Sequence, residues 1–228
     1  MKNIIFLLFA FNLYALITIP IESRQLLLVS ADGFTNNQAI LRVYERTDGV
    51  WKEHFYPIPV NLGRNGLAWG EGMIDFEHAH DEPIKYEGDG KSPAGLFQLE
   101  SAFGYEDEKI DYPYLQVDAS TLCIDDTASD QYNKIIHTKN SESFRSFEYM
   151  KRQDDLYRLG VVVGHNQKRL HKRGSCIFLH IQKNKGAPTS GCTSMHEDRL
   201  YQILQWLDAD KKPLLLQLPA FYLRDGFK

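Results

Sequence analysis

Two residues in the stretch Ser175–Met195 have the type and spacing for acyl-transfer chemistry, Cys192 and His180. A thiolate is a strong nucleophile, and a neighbouring imidazole is the ordinary base for its proton. An apolar run, Ile177-Phe178-Leu179, predicts a short buried strand that delivers His180 at its end. A polar loop follows and closes in Thr189-Ser190-Gly191-Cys192. Ser194 with Glu197 reads as a capping box, and Leu200, Ile203, Leu204 and Leu207 carry helical spacing. On that reading a helix begins directly after the cysteine, and its unpaired N–H groups and macrodipole favour a thiolate at Cys192. The backbone N–H groups of Gly191 and Cys192 are the expected oxyanion donors, with Thr189 and Ser190 ordering the loop through their hydroxyls. Taken alone, one Cys–His pair is a weak signal, and a structural cysteine is the commoner reading.

His165 is the second histidine of interest. It follows the strongly apolar segment Tyr157–Gly164, and adjacent strands could bring it to the same cleft as His180, which makes it a candidate for the substrate groove. The plainer reading is a strand-end histidine satisfied by backbone. His78 and His80, beside Glu77 and Asp81, look superficially like metal ligands, but a polar loop without a second ligand cluster reads as solvated, so no metal is expected. Gly63, Gly66, Gly70 and Gly72 lack the strand and helix of a phosphate-binding loop and read as tight turns. Asp125-Asp126 reads as a pair of turn and cap acceptors rather than an acid/base pair. Of the three cysteines, Cys123 and Cys176 either pair as a disulfide or remain two buried thiols.

The scaffold reads as β-rich. Leu26–Ser30, Ile40–Tyr44, Val50–Tyr56, Pro93–Leu99, Leu115–Ile124, Tyr157–Gly164 and Leu214–Leu218 carry strand patterns, with Pro57 and Pro59 ending the third or marking an edge. Ser101–Tyr114 reads as irregular, and Asp130–Asp155 as polar with room for a short helix. Many short strands and one late helix predict a mostly-β sandwich or barrel with a few helices. A length of 228 residues suits one domain, and a net charge of −4 without a basic face excludes nucleic acid as partner. The basic residues Lys168, Arg169, Lys172 and Arg173 read as a solvated loop, with contact to an anionic polymer as the second reading. Met1-Lys2-Asn3, an apolar run from Ile4 to Ile19 and a polar exit at Glu22-Ser23 predict a signal peptide over 1–23, or an uncleaved N-terminal anchor, ahead of a domain over 24–228. The domain is expected to be exported.

His180 followed by Thr-Ser-Gly-Cys resembles the active-site motif of the L,D-transpeptidases of the YkuD type, a histidine and then Ser/Thr-His-Gly-Cys. Gly88–Phe97 (G-D-G-K-S-P-A-G-L-F) is similar to that family's strand entry, and Val60–Gly70 and Cys123–Asp126 resemble one branch of it. Ser190 stands where the family usually has histidine, and Ile181 where it usually has glycine after the base. The resemblance implies a YkuD-like β-sandwich or barrel-like catalytic domain. It implies a cysteine acyltransferase acting on peptidoglycan stem peptides without cofactor, in the periplasm or cell envelope of a bacterium. Two alternatives stand beside it. One is an L,D-carboxypeptidase or amidase using the same site, and the other a non-catalytic wall-binding module with Cys192 in a disulfide.

Overall fold

Most strands of this chain close into a ring. The computed structural model describes residues 16–228. In chain order the strands are β1 (Gln25–Ala31), β2 (Gln38–Thr47), β3 (Val50–Glu53), β4 (Ile58–Asn61), β5 (Leu67–Trp69), β6 (Ser92–Gly104), β7 (Tyr114–Gln116), β8 (Thr121–Cys123), β9 (Ile135–His137), β10 (Glu148–Tyr149), β11 (Leu159–Val163), β12 (Phe178–Ile181), β13 (Thr193–Met195) and β14 (Leu214–Pro219), with one α-helix, α1 (Glu197–Trp206). Neighbours run β1-β14-β6-β11-β12-β13-β4-β2, and β2 also pairs with β1, which closes a barrel-like sheet. β3 extends from β2, β5 and β7 flank β6, and β10-β8-β9 form a separate small sheet. The mostly-β expectation holds, in its barrel-like form.

Side-chain alternation divides the barrel wall into two faces. Leu179 and Ile181 of β12 join the main core with Leu26, Phe97, Val161 and the α1 residues Leu200, Ile203 and Leu204. Phe178 points the other way, into a second cluster with Phe103, Tyr157, Cys176 and Cys192. His180, two residues on from Phe178, shares that second face.

The sheet overrides several local signals. β6 runs through Ser101–Gly104, expected to be irregular, because Ala102, Phe103 and Gly104 pair with β11. The Leu115–Ile124 pattern is interrupted by a turn in which Asp118 accepts from the Ser120 N–H at 2.8 Å. β3 stops at Glu53, short of the expected Tyr56. Pro59 sits inside β4, opposite Ile40 of β2. Its missing N–H is tolerated because β4 meets β13 only at Asn61, opposite Ser194. Asp130–Asp155 holds β9, β10 and a 3₁₀ turn at Ser141–Ser143.

The expected leader, 1–23, lies outside the described residues as far as residue 15. Residues 16–23 pack on the domain. Ile17 and Ile19 are buried in the main core, Ile19 N–H donates to the Lys228 carbonyl at 2.8 Å, and Arg46 donates to the Pro20 and Ile21 carbonyls, each at 3.2 Å. Among the described residues no helix is long and apolar enough to cross a membrane.

Candidate active site

The parallel pairing of β12 with β13 sets Ser194 opposite His180 and Thr193 opposite Leu179. Cys192, one residue earlier, therefore lies beside Phe178, whose N–H donates to its Sγ at 3.3 Å. The thiol in turn approaches the Cys176 carbonyl at 3.5 Å. Cys192 and His180 line one cleft of about 620 Å³, walled by Arg64, Glu148, Tyr157 and the Ala187–Gly191 loop. The sequence thus brings its two principal residues together.

The His180 ring is held in one orientation. His180 is 6% exposed, and its Nδ1 lies 2.8 Å from the Ile181 carbonyl. A neutral ring donates there and leaves Nε2 as the acceptor. Burial lowers the imidazole to about 4, and burial likewise pushes the Cys192 thiol up to about 12, with Glu148 adding to the rise. The resting pair is therefore neutral thiol and neutral imidazole. No hydrogen bond joins them among the described residues.

The expected helix does not begin at the cysteine. Ser194 is a buried residue of β13, and α1 starts at Glu197 behind His196, whose Nδ1 accepts from the Asp198 N–H at 3.4 Å. Sheet pairing consumes Ser194, so the capping-box reading and the macrodipole argument built on it are both corrected. The donor that does meet the sulfur is the Phe178 N–H of the neighbouring strand.

The loop before Cys192 is tied from several sides. The Thr189 hydroxyl donates to the Cys192 carbonyl at 2.6 Å and accepts from the Gly191 N–H at 3.1 Å. Ser92 donates to the same carbonyl at 3.0 Å and accepts from the Gly63 N–H at 2.9 Å. The Thr189 backbone bonds to the Leu62 carbonyl and the Arg64 N–H, both at 2.9 Å. Ser190 is exposed and accepts from Arg64 at 3.4 Å. A Cβ on Gly191 would come within 3.1 Å of the Lys91 carbonyl oxygen, tighter than an ordinary contact, so glycine suits this close backbone approach. Because Gly191 N–H is engaged by Thr189, the Cys192 N–H is the simpler candidate for an oxyanion donor.

His165 lies elsewhere. β11 and β12 are antiparallel, with Gly160 opposite His180, so His165, two residues beyond the end of β11, emerges at the opposite edge. His165 is buried, its Nε2 lies 3.0 Å from the Arg173 carbonyl, and burial lowers it to about 3. It lines a second cavity of about 400 Å³ that lacks Cys192 and His180. His78 is exposed and stacks on Trp69, and no group of three potential metal ligands occurs among the described residues. Asp126 accepts from the Ala128 and Arg145 N–H groups at 2.9 and 3.1 Å, as a turn acceptor does.

Cys123 and Cys176 form a disulfide with a Cα–Cα separation of 6.0 Å, and Cys192 is the free cysteine. The bridge settles the open alternative for the first two. It also anchors the small sheet two residues before Phe178. Residues that the sequence reading passed over include Ser92, Arg64, Tyr157 and Glu148. Ser92 and Arg64 fall inside the stretches that carried the family resemblance, which was their signal. Tyr157 and Glu148 carried none, because long-range packing alone places them.

Residues 25–213 match the family model described as YkuD, L,D-transpeptidase catalytic domain. The chain belongs to the YkuD family. Comparison with curated proteins found no match. Among solved structures, the YkuD chain is similar to the helical cell shape determining protein Pgp2 from Campylobacter jejuni, at 17% identity and a TM-score of 0.43, covering 86% of this chain and 48% of that one. A variant of Pgp2 gives 17% and 0.46, with 86% and 47% covered. Bd1075 from Bdellovibrio bacteriovorus gives 15% and 0.39, with 86% and 48% covered. The chain spans about half the length of these proteins. Membership places this YkuD domain in an L,D-transpeptidase family of peptidoglycan enzymes.

Proposed function

We propose that the chain is an exported cysteine acyltransferase that carries out L,D-transpeptidation on peptidoglycan stem peptides. The observation that carries this reading is a free, buried Cys192 in one cleft with a histidine whose Nε2 is left as acceptor. In the reaction, Cys192 Sγ attacks the carbonyl carbon that precedes a D-amino acid, and the thiol proton passes to His180 Nε2. The tetrahedral intermediate collapses as His180 returns that proton to the leaving amine, which frees the D-amino acid and leaves a thioester. An amine of a second stem then attacks the thioester, losing its proton to His180, and the Cys192 thiol is restored. The Cys192 N–H stabilises the oxyanion. Thr189 and Ser92, both bonded to the Cys192 carbonyl, fix the loop that presents this N–H. Arg64 and Lys183 line the rim of the cleft, where cations suit a stem carboxylate.

Of the two alternatives, the binding module required Cys192 to be oxidised, and the free Cys192 argues against it. Hydrolysis differs only in which nucleophile reaches the thioester. The test is incubation of the full chain with purified disaccharide-tetrapeptides and a free D-amino acid, read by mass spectrometry. Cross-linked dimers or exchanged D-amino acids, absent with Cys192→Ala, are expected. Disaccharide-tripeptides alone would replace transfer by L,D-carboxypeptidase action, and an unchanged substrate would overturn the reading.

A further inference from the structure

A neutral thiol beside a weak, neutral base leaves open what favours the thiolate as its proton departs. The Phe178 N–H supplies one hydrogen bond. Tyr157 lines the same cleft as the thiol. It is buried, with its ring edge-on to His180 at 5.2 Å and to Phe178 at 5.4 Å, and the Arg152 guanidinium lies over that ring at 4.9 Å. Its hydroxyl donates to Glu148 Oε2 at 2.7 Å. Tyr157, Glu148, His180 and Cys192 line the same cleft, although Glu148 is contributed by the separate small sheet.

We propose that Tyr157 is a third catalytic residue, a hydrogen-bond donor to the Cys192 sulfur, and that Glu148 is the residue that positions it. The phenol has a single hydrogen, so the two acceptors compete for it. When Glu148 is ionised, the hydrogen lies towards the carboxylate. When Glu148 is protonated, its own O–H donates to the phenol oxygen, and the phenolic hydrogen turns to Sγ. The thiol proton goes to His180 Nε2 in either case, and neither Tyr157 nor Glu148 gives one up. Burial raises Glu148 towards its protonated form, and hydrogen bonding from Tyr157 is among the influences that favour the thiolate. The charged and titratable groups around the pair are Asp125, Glu87 and Arg152 near Glu148, and Lys85 near Cys192.

The test uses the full, disulfide-intact chain and the rate of Cys192 alkylation by iodoacetamide across pH, with circular dichroism as the fold control. Tyr157→Phe keeps the ring and removes the donor. We expect its alkylation at about pH 8 to be roughly tenfold slower than wild type. Glu148→Gln keeps a donor to the phenol oxygen and removes a charge that opposes the thiolate, so it is expected to react at least as fast as wild type. A structural role alone would not separate the two variants in this way. Tyr157→Phe reacting like wild type, or Glu148→Gln slowing as Tyr157→Phe does, overturns the proposal. Should Tyr157→Phe not fold, a Glu148→Gln rate below wild type overturns it alone. The inference rests on Cys192 as nucleophile but not on the wall substrate. A thiol that follows this pattern in a chain that leaves stem peptides untouched would refute the transferase reading and keep this one.

Discussion

The chemistry proposed here turns on two protons that burial holds in place. With the imidazole lowered to about 4 and the thiol raised to about 12, the active form is the neutral pair. Acylation of the enzyme is therefore expected to fall as pH drops towards about 4, where His180 protonates; a pH–rate profile checks this. His180→Gln should slow acylation by about 10²–10⁴-fold while leaving the thiol present for alkylation. A rate near wild type would remove His180 from the mechanism. Cys192 and His180 were legible in the sequence because a loop, a strand end and a family-like motif agreed on them. The direction of the thiol shift was not legible. It was expected to fall at a helix terminus, and it rises because Cys192 is buried just ahead of β13, with Glu148 adding to the rise.

At the scale of elements, the misread is instructive. Ser194 and Glu197 have the spacing of a capping box, but a strand that pairs on both sides outcompetes a side-chain cap, and the helix begins later behind His196. Hydrophobic runs such as Leu214–Leu218, and Leu159–Val163 within the expected Tyr157–Gly164, were readable as strands because both faces are largely buried. Short strands such as β5, β9 and β10 were not, since two or three residues carry no usable period. The disulfide is the element-scale device that couples these pieces. It joins positions 53 residues apart, linking β8 to the residue whose carbonyl meets the thiol. Its removal by paired Cys123→Ser and Cys176→Ser substitution is expected to cost about 3–4 kcal/mol of stability from loop closure alone. Denaturant melts would measure that loss, and Cys192 acylation should slow alongside it. An equally stable variant would show that the small sheet is held by packing alone.

For the whole molecule, the strand order closes on itself, and only the pairing pattern reveals that closure. The end of the expected leader behaves as part of the fold, since Ile17 and Ile19 are buried and Arg46 is capped by carbonyls from that segment. Deleting residues 1–23 should therefore cost roughly 2–5 kcal/mol more than deleting 1–15, judged from two isoleucines leaving the core. Thermal melts of the two truncations decide this, and equal stability would contradict it. Global stability should also depend on pH. His165 and His180 both have folded values below the ordinary 6.5, so the unfolded chain binds more protons than the folded one as pH falls from there. The stability present above about 6.5 is lost progressively down to about 3, by a few kcal/mol in all. The most direct test of the account is the intact mass of the full chain after incubation with a carbapenem, whose strained lactam carbonyl acylates an activated thiol. One adduct per chain, mapped to Cys192, absent from Cys192→Ala and slowed in His180→Gln, is the predicted result. No adduct on a folded chain with its Cys123–Cys176 bridge intact would contradict the claim that Cys192 is an acyl-accepting nucleophile.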